Sequence, residues 1–185
     1  MLAQAYESRG DLAAAAAAYE RAVAEEGDDG ELLNNLGVVY RNLGNRVRAV
    51  SVFRRAVNAN PGLALLHRNL GMMLAAGGEM NGAMAELRQS IRIRPEDPEA
   101  LGLVGALSAE GGDSAQARMA FAQALRLAPN DARLLGLLGR YPRLSGVGER
   151  PTRRRAGTGP SLSETGREDA TASSAPRPRP RAATP

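Results

Sequence analysis

His67 is the only histidine in the 185-residue chain, so it is the only candidate for the histidine of a Ser/His/Asp catalytic group. The absence of cysteine excludes a thiol nucleophile, a disulfide and a Cys/His zinc site. A metal held by His67 would need carboxylates alone to complete its coordination. We therefore expect no catalytic residue, no metal and no cofactor.

Two further patterns could carry chemistry, and both favour a structural interpretation. A cluster of acids, which ends at Glu31, is typical of a solvated turn that complements the positive end of the following helix. Its members are Glu25, Glu26, Asp28, Asp29 and Glu31. The chain has no phosphate-binding loop or dinucleotide fingerprint, because its glycines follow a long fixed period instead.

That period is 34 residues, and four series of residues share it without slippage. The first series consists of small residues: Ala3, Gly37, Gly71, Gly105 and Gly139. The second consists of glycines: Gly10, Gly44, Gly78, Gly112 and Gly146. The third consists of the alanines Ala15, Ala49, Ala83 and Ala117, and the fourth of the prolines Pro61, Pro95 and Pro129. Self-similarity at one fixed spacing indicates a repeat architecture.

Each series fits a unit of two antiparallel helices. The second glycine series, beginning at Gly10, would end the first helix in a left-handed conformation, and three of the four following residues are good N-caps. The prolines would end the second helix. The glycines in the middle of the first helix, such as Gly37, cost helix stability and therefore indicate a close approach between helices.

The chain resembles the tetratricopeptide repeat (TPR) family, whose unit is a 34-residue helix-turn-helix. The motif residues of its first complete unit are Leu36, Gly37, Tyr40, Ala49, Phe53, Ala56 and Pro61. Later units depart from the family pattern at Ser90 and Ser108, and the family's early tryptophan is absent. His67 occupies that tryptophan position, which implies a partly buried structural histidine. Five of the six aromatic residues occupy core positions, and only Tyr141 falls outside them.

The resemblance implies an all-α, right-handed α-solenoid and covers about residues 1–141. We predict a partial unit at 1–29, complete units at 30–63, 64–97 and 98–131, and a partial terminal helix at 132–141. We expect the incomplete units at both ends to leave apolar surface uncovered and so to permit self-association.

Residues 142–185 differ sharply from the repeats. They contain 9 arginines and 4 acids, net +5, whereas residues 1–141 contain 15 arginines and 16 acids, net −1. With 7 prolines and few apolar residues, this Pro/Arg-rich segment predicts a disordered tail. It could be a linker, an error in the gene model of a GC-rich genome, or an arm for nucleic acid or acidic surfaces. No aromatic residue is interleaved with the arginines to stack on bases, which disfavours nucleic acid as a partner.

No apolar stretch is long enough to span a bilayer, and no secretory signal precedes the repeats, so we expect a soluble chain whose compartment is undetermined. In TPR proteins the first helices line a concave groove that holds an extended peptide. By resemblance, the partner-binding residues here are Glu31, Asn34, Asn35, Val38, Arg41, Asn42, Leu65, Arg68, Asn69 and Met72. Asn35 and Asn69 could bond a peptide backbone without reading its sequence. Alternatively, they only steady neighbouring helices.

The resemblance therefore implies a bacterial-type, non-catalytic scaffold that binds a protein or peptide. The alternatives are the repeat segment of a larger enzyme, such as a glycosyltransferase whose catalytic domain is missing, and a binder of acidic surfaces or nucleic acid through the tail. The groove residues of a chaperone-tail clamp do not match, because Leu65 and Asn69 stand where that clamp is basic.

The first prediction concerns the array and the tail. Because each unit buries its apolar face on its neighbours, residues 1–141 should be strongly helical by circular dichroism. Removing residues 143–185 should leave the helical signal of the array unchanged. A loss of helicity on that deletion would contradict the predicted disorder of the tail.

Overall fold

The structure is a computed structural model that describes residues 2–144. Within that range the chain forms nine α-helices, and no strand is present among these residues. The helices are α1 (Leu2–Ser8), α2 (Leu12–Glu26), α3 (Gly30–Asn42), α4 (Arg46–Ala59), α5 (Ala64–Ala76), α6 (Met80–Ile93), α7 (Pro98–Glu110), α8 (Ser114–Leu127) and α9 (Ala132–Gly139). Of the predicted tail, 142–185, the residues from 145 onward lie outside the described residues, whereas 142–144 form a turn in which Leu144 packs against the core.

The helices pack as successive pairs. The contacts are most extensive within the pairs α3/α4, α5/α6 and α7/α8, and the second helix of each pair also contacts the first helix of the next. Each predicted complete unit contains one such pair, while the exact unit boundaries remain our proposal. The arrangement is the all-α solenoid that the period predicted.

Glycine and a capping residue form the turn inside each pair. Gly10, Gly44, Gly78 and Gly112 all have positive φ angles, between 73° and 83°. The side chains of Asp11, Asn45 and Asp113 then accept a hydrogen bond from a backbone N–H in the first turn of the next helix. Glu79 makes no such bond. The predicted helix ends and three predicted caps are therefore confirmed.

The glycines in the middle of the first helices allow the second helices to approach closely. A Cβ atom built on Gly37 would lie 2.6 Å from the Phe53 ring, and one on Gly71 would lie 2.8 Å from Leu87 Cγ. Gly105 has the same relation to Phe121, at 2.9 Å. The three large side chains are almost completely buried. The helix-stability cost of these glycines is therefore offset by packing.

The aromatic residues mostly lie in the core. Tyr19, Phe53 and Phe121 are fully buried, and Tyr6 is only half-buried. Tyr141 lies outside the buried core, as expected, but it is half-buried and packs against it, with its ring centroid 6.1 Å from that of Phe121. The Tyr141 hydroxyl also donates to Glu110, 2.8 Å away. The turn after α9 folds back and brings this ring onto the last helix pair.

The two serines that depart from the family pattern are buried and hydrogen-bonded. Ser90 Oγ donates to the Ala64 carbonyl at 2.9 Å, and Ser108 Oγ donates to Gln116 Oε1 at 2.9 Å. Their hydroxyls therefore avoid the cost of an unpaired buried polar group. None of the helices in residues 2–144 is long and apolar enough to cross a membrane.

A matched pair of glycine substitutions tests the close approach. Gly37→Ala should destabilise the array by about 1–3 kcal/mol, because its Cβ must displace a buried ring. Gly136→Ala in α9 meets no atom within 4 Å and should be neutral or stabilising by up to about 1 kcal/mol. Denaturant unfolding measures both changes. Equal effects at the two positions would contradict the packing described for Gly37.

Candidate functional site

The first helices of the pairs form a layer of their own. α3 contacts α5, α5 contacts α7, and α7 contacts α9, whereas the second helices make no contacts of that extent with one another in residues 2–144. A layer whose members lie closer together is the inner layer of a curved array. The candidate site therefore lies on the side formed by α3 and α5.

The ten predicted partner-binding residues all lie on these two helices. The α3 residues are Glu31, Asn34, Asn35, Val38, Arg41 and Asn42, and the α5 residues are Leu65, Arg68, Asn69 and Met72. They differ in how much surface they offer. Val38, Arg41 and Met72 are half-buried, and Asn42 is exposed. Asn34 and Asn69 are buried.

Four of the ten residues line one depression of about 510 Å³: Glu31, Asn34, Asn35 and Leu65. The depression also includes Leu63 and, from the end of the outer helix α6, Ile93 and Arg94. Sequence reasoning missed the two α6 residues because the family's groove positions all lie on first helices. The available signal was the apolar Ile93, which is the last residue of α6.

Asn34 and Asn69 bond to each other rather than to solvent. Asn69 Nδ2 donates to Asn34 Oδ1 at 2.7 Å, which ties α5 to α3 across one repeat. The amide donor of Asn69 is therefore already engaged. Asn35, the neighbour of Asn34, is half-buried and makes no side-chain hydrogen bond within the described residues. Asn35 and Asn69 were both expected to bond a peptide. Of the two, only Asn35 has a side-chain amide without a hydrogen-bond partner within the described residues.

Arg68 is likewise engaged inside the protein. One of its terminal nitrogens, Nη1, lies 2.8 Å and 3.0 Å from the two carboxylate oxygens of Asp97 and 3.1 Å from Glu99 Oε2. Asp97 also accepts from the backbone N–H groups of Glu99 and Ala100, and so caps α7. The positive charge of Arg68 is therefore neutralised by two carboxylates, and it serves to join α5 to α7.

His67 is the buried structural histidine that its position implied. Its Nδ1 lies 2.7 Å from Glu86 Oε2, and its Nε2 lies 3.0 Å from the Pro61 carbonyl oxygen. The ring joins α6 to the turn before α5. In residues 2–144 no group of three or more His, Cys, Asp or Glu side chains could hold a metal ion.

The pKa values of two buried tyrosines, Tyr19 and Tyr40, are raised by their surroundings. Burial raises the Tyr19 pKa far above its usual value, and the hydrogen bond that Tyr19 donates to Glu7 adds to the shift. Burial and a hydrogen bond to Glu20 raise the pKa of Tyr40 in the same way. Tyr19 on α2 bonds to α1 of its own pair, and Tyr40 on α3 bonds to α2 of the preceding pair, so these shifts reflect packing.

The comparisons with known proteins agree with this fold. The sequence pattern of the tetratricopeptide repeat matches residues 1–64 and 48–98. No curated protein matches the sequence. A crystal structure of MamA is 20% identical, with a TM-score of 0.71, and the match covers 79% of this chain and 85% of MamA.

Two further solved structures are similar to this chain. YrrB, described as a TPR protein with an unusual peptide-binding site, is 21% identical with a TM-score of 0.67, and the match covers 74% of this chain and 71% of YrrB. PilF of Pseudomonas aeruginosa is 22% identical with a TM-score of 0.66, and the match covers 77% of this chain and 67% of PilF. These likenesses support the fold alone.

The chain belongs to the tetratricopeptide repeat family, because the family pattern matches more than half of its length. The predicted right-handed α-solenoid is confirmed by the helix order and by the similar structures. Proteins of this family are generally non-catalytic, and the fold indicates a protein–protein interaction scaffold.

A double-mutant cycle tests the bond between the two buried asparagines. Asn69→Ala should lower the free energy of unfolding by about 1–3 kcal/mol, because it leaves the buried Asn34 amide unpaired. The variant that carries both Asn34→Ala and Asn69→Ala should lose less than the sum of the single changes. Asn35→Ala is the control and should cost within about 0.5 kcal/mol. A cost at Asn69 no larger than at Asn35 would show that the bond does not join the helices.

Proposed function

We propose that the chain is a non-catalytic scaffold that binds an extended peptide, or an extended segment of a protein, along the surface of α3 and α5. The observation that carries the proposal is the open depression in which Asn35 and Leu65 face the same space. A pocket of several hundred cubic ångströms with apolar walls and a few polar groups is typical of a ligand site.

The residues around the depression suit a peptide backbone. Asn35 can both donate to and accept from a peptide group, and it has no side-chain partner within the described residues. Leu65 is 43% exposed, which is unusual for a leucine on the inner helix of a packed array. Met72 lies two turns further along α5 and extends the surface.

The likeness to YrrB supports the same conclusion by analogy. That protein is described as having a peptide-binding site, and its fold matches this chain over most of both lengths. Because the identity is low, the analogy supports the class of ligand and leaves the individual contacts to the geometry of this chain.

Self-association is a second interaction that we propose, on the evidence of α9. Leu135 on this helix is 47% exposed, and a Cβ atom on the neighbouring Gly136 would meet nothing within 4 Å. Apolar surface of this kind usually marks an interaction site. Sedimentation of the full chain should show dimers or larger species at micromolar concentration, and Leu135→Glu should shift them toward the monomer. A clean wild-type monomer up to about 100 micromolar would contradict self-association.

The groove is tested by capture and titration. The full chain should capture a partner from a lysate of its source cells, and the combined change Asn35→Ala with Met72→Ala should weaken that partner about five- to hundredfold. The loss is the sum of one hydrogen bond and one buried thioether contact.

The matched control removes side chains of similar size from outer helices. Val47 on α4 and Met119 on α8 are 78% and 75% exposed. Val47→Ala with Met119→Ala should leave the affinity unchanged, and circular dichroism should be the same for all variants. If the affinity for the partner is unchanged by the α3 and α5 substitutions but falls with the control pair, the partner binds the outer helices.

A further inference from the structure

The depression between α3, α5 and the end of α6 has a composition that distinguishes it from the rest of the α3 and α5 surface. We call it the edge pocket and define it by Glu31, Asn35, Leu65, Ile93 and Arg94, with Leu63 beneath. Its apolar members come from two different helices. Leu65 on α5 is 43% exposed and Ile93 on α6 is 36% exposed, although both are large aliphatic side chains.

Covering these two side chains would be favourable. Removing apolar surface from water stabilises a complex in proportion to the area that is covered. The backbone of an extended peptide is mainly polar, so a peptide without a bulky apolar side chain would leave Leu65 and Ile93 exposed to water. A bulky aliphatic side chain of the peptide, such as leucine or isoleucine, fills the space between them.

The rim of the edge pocket carries two charges of opposite sign. Glu31 and Arg94 are both exposed, and neither forms an ion pair with any residue in the described part of the chain. This differs from the neighbouring Arg68, which is neutralised by Asp97 and Glu99. The two rim charges are therefore available to a ligand, and Arg94 attracts an acidic residue while Glu31 attracts a basic one.

We propose that the edge pocket is the specificity-determining subsite of the peptide-binding surface, and that it selects a bulky aliphatic residue flanked by an acidic residue beside Arg94 and a basic residue beside Glu31. This inference rests on the proposed function. In the proposed function Asn35 bonds only to the peptide backbone and does not distinguish one peptide sequence from another. The edge pocket would supply that distinction. Leu65 and Ile93 select the aliphatic side chain, and the rim charges set its flanking residues and its direction.

The probe is a random dodecapeptide library displayed on phage and selected on the full chain. The strongest selected peptide is then synthesised with a fluorescein label and titrated. The selected peptides should share one leucine, isoleucine or valine with an acidic and a basic residue on opposite sides of it. Leu65→Ala should weaken the labelled peptide roughly ten- to fiftyfold, because it removes the aliphatic contact.

The charge exchange Arg94→Glu gives a readout that a loss of folding cannot produce. Peptides selected on this variant should carry lysine or arginine in place of the acidic residue. The labelled peptide that was selected on the wild-type chain should bind the variant about two- to tenfold more weakly. Arg92→Glu is the matched control, because Arg92 is exposed on the same helix and does not line the pocket. It should leave the selected sequences unchanged.

Leu43→Ala is the matched control for Leu65→Ala. Leu43 has the same exposed fraction, 43%, but lies at the end of α3 outside the pocket. It should not change the affinity of the labelled peptide. Circular dichroism of every variant confirms that the helices are intact.

The outcomes separate this inference from the proposed function. Peptides that weaken with Asn35→Ala and Met72→Ala but ignore Leu65→Ala and Arg94→Glu would overturn the subsite and leave the groove in place. If none of the four substitutions changes the affinity of the selected peptides, both the subsite and the groove proposal are overturned. A library that yields no binder would overturn the subsite, while the capture experiment still decides the groove.

Discussion

The close approach of the two helices within each pair is the constraint on which the rest of the array depends. At Gly37 and Gly105 an aromatic ring occupies the space that a Cβ atom would need, and at Gly71 a leucine does. The second helix thereby packs a large side chain directly on the backbone of the first. Any larger residue at these positions would separate the helices and open the core, because protein interiors have few voids to absorb the change. The face that each pair presents to the next pair depends on this fit.

Polar side chains then fix neighbouring pairs to one another. The bond from Asn69 to Asn34 and the ion pair of Arg68 with Asp97 both join first helices of successive pairs. Both are largely buried, where a satisfied polar contact specifies geometry and an unsatisfied one is costly. The inner surface thus uses several of its polar groups for structure. The inner surface that is left for a partner to bind is therefore smaller than the surface that the family's groove positions would predict.

The open part combines the Asn35 amide with an apolar depression and with two charged side chains that form no ion pair within residues 2–144. In our proposal Asn35 binds the peptide backbone, whereas Leu65 and Ile93 distinguish an aliphatic side chain from a polar one. A scaffold with only the first feature would bind many segments weakly. The second feature gives a physical basis for selecting one, because specificity is a difference in affinity between competing ligands. The end of the outer helix α6 would contribute to this selection, because Ile93 lines the same depression.

The sequence alone determined the helices, their ends and their order. Gly44, Asn45 and Pro61 act through their own backbone geometry or through residues three or four positions away, so their effect can be read from the chain. The 34-residue period made the stacking of pairs predictable in the same way. The partner-binding site stays a prediction, although two of its predicted residues, Asn35 and Leu65, line the same depression. The engagement of Asn69 by Asn34 and of Arg68 by Asp97, and the arrival of Ile93 beside Leu65, were decided only by the tertiary structure. These pairs of residues lie about 28 to 35 positions apart in the chain. Which side chains come together depends on how closely each helix pair stacks on the next, and no local pattern encodes that.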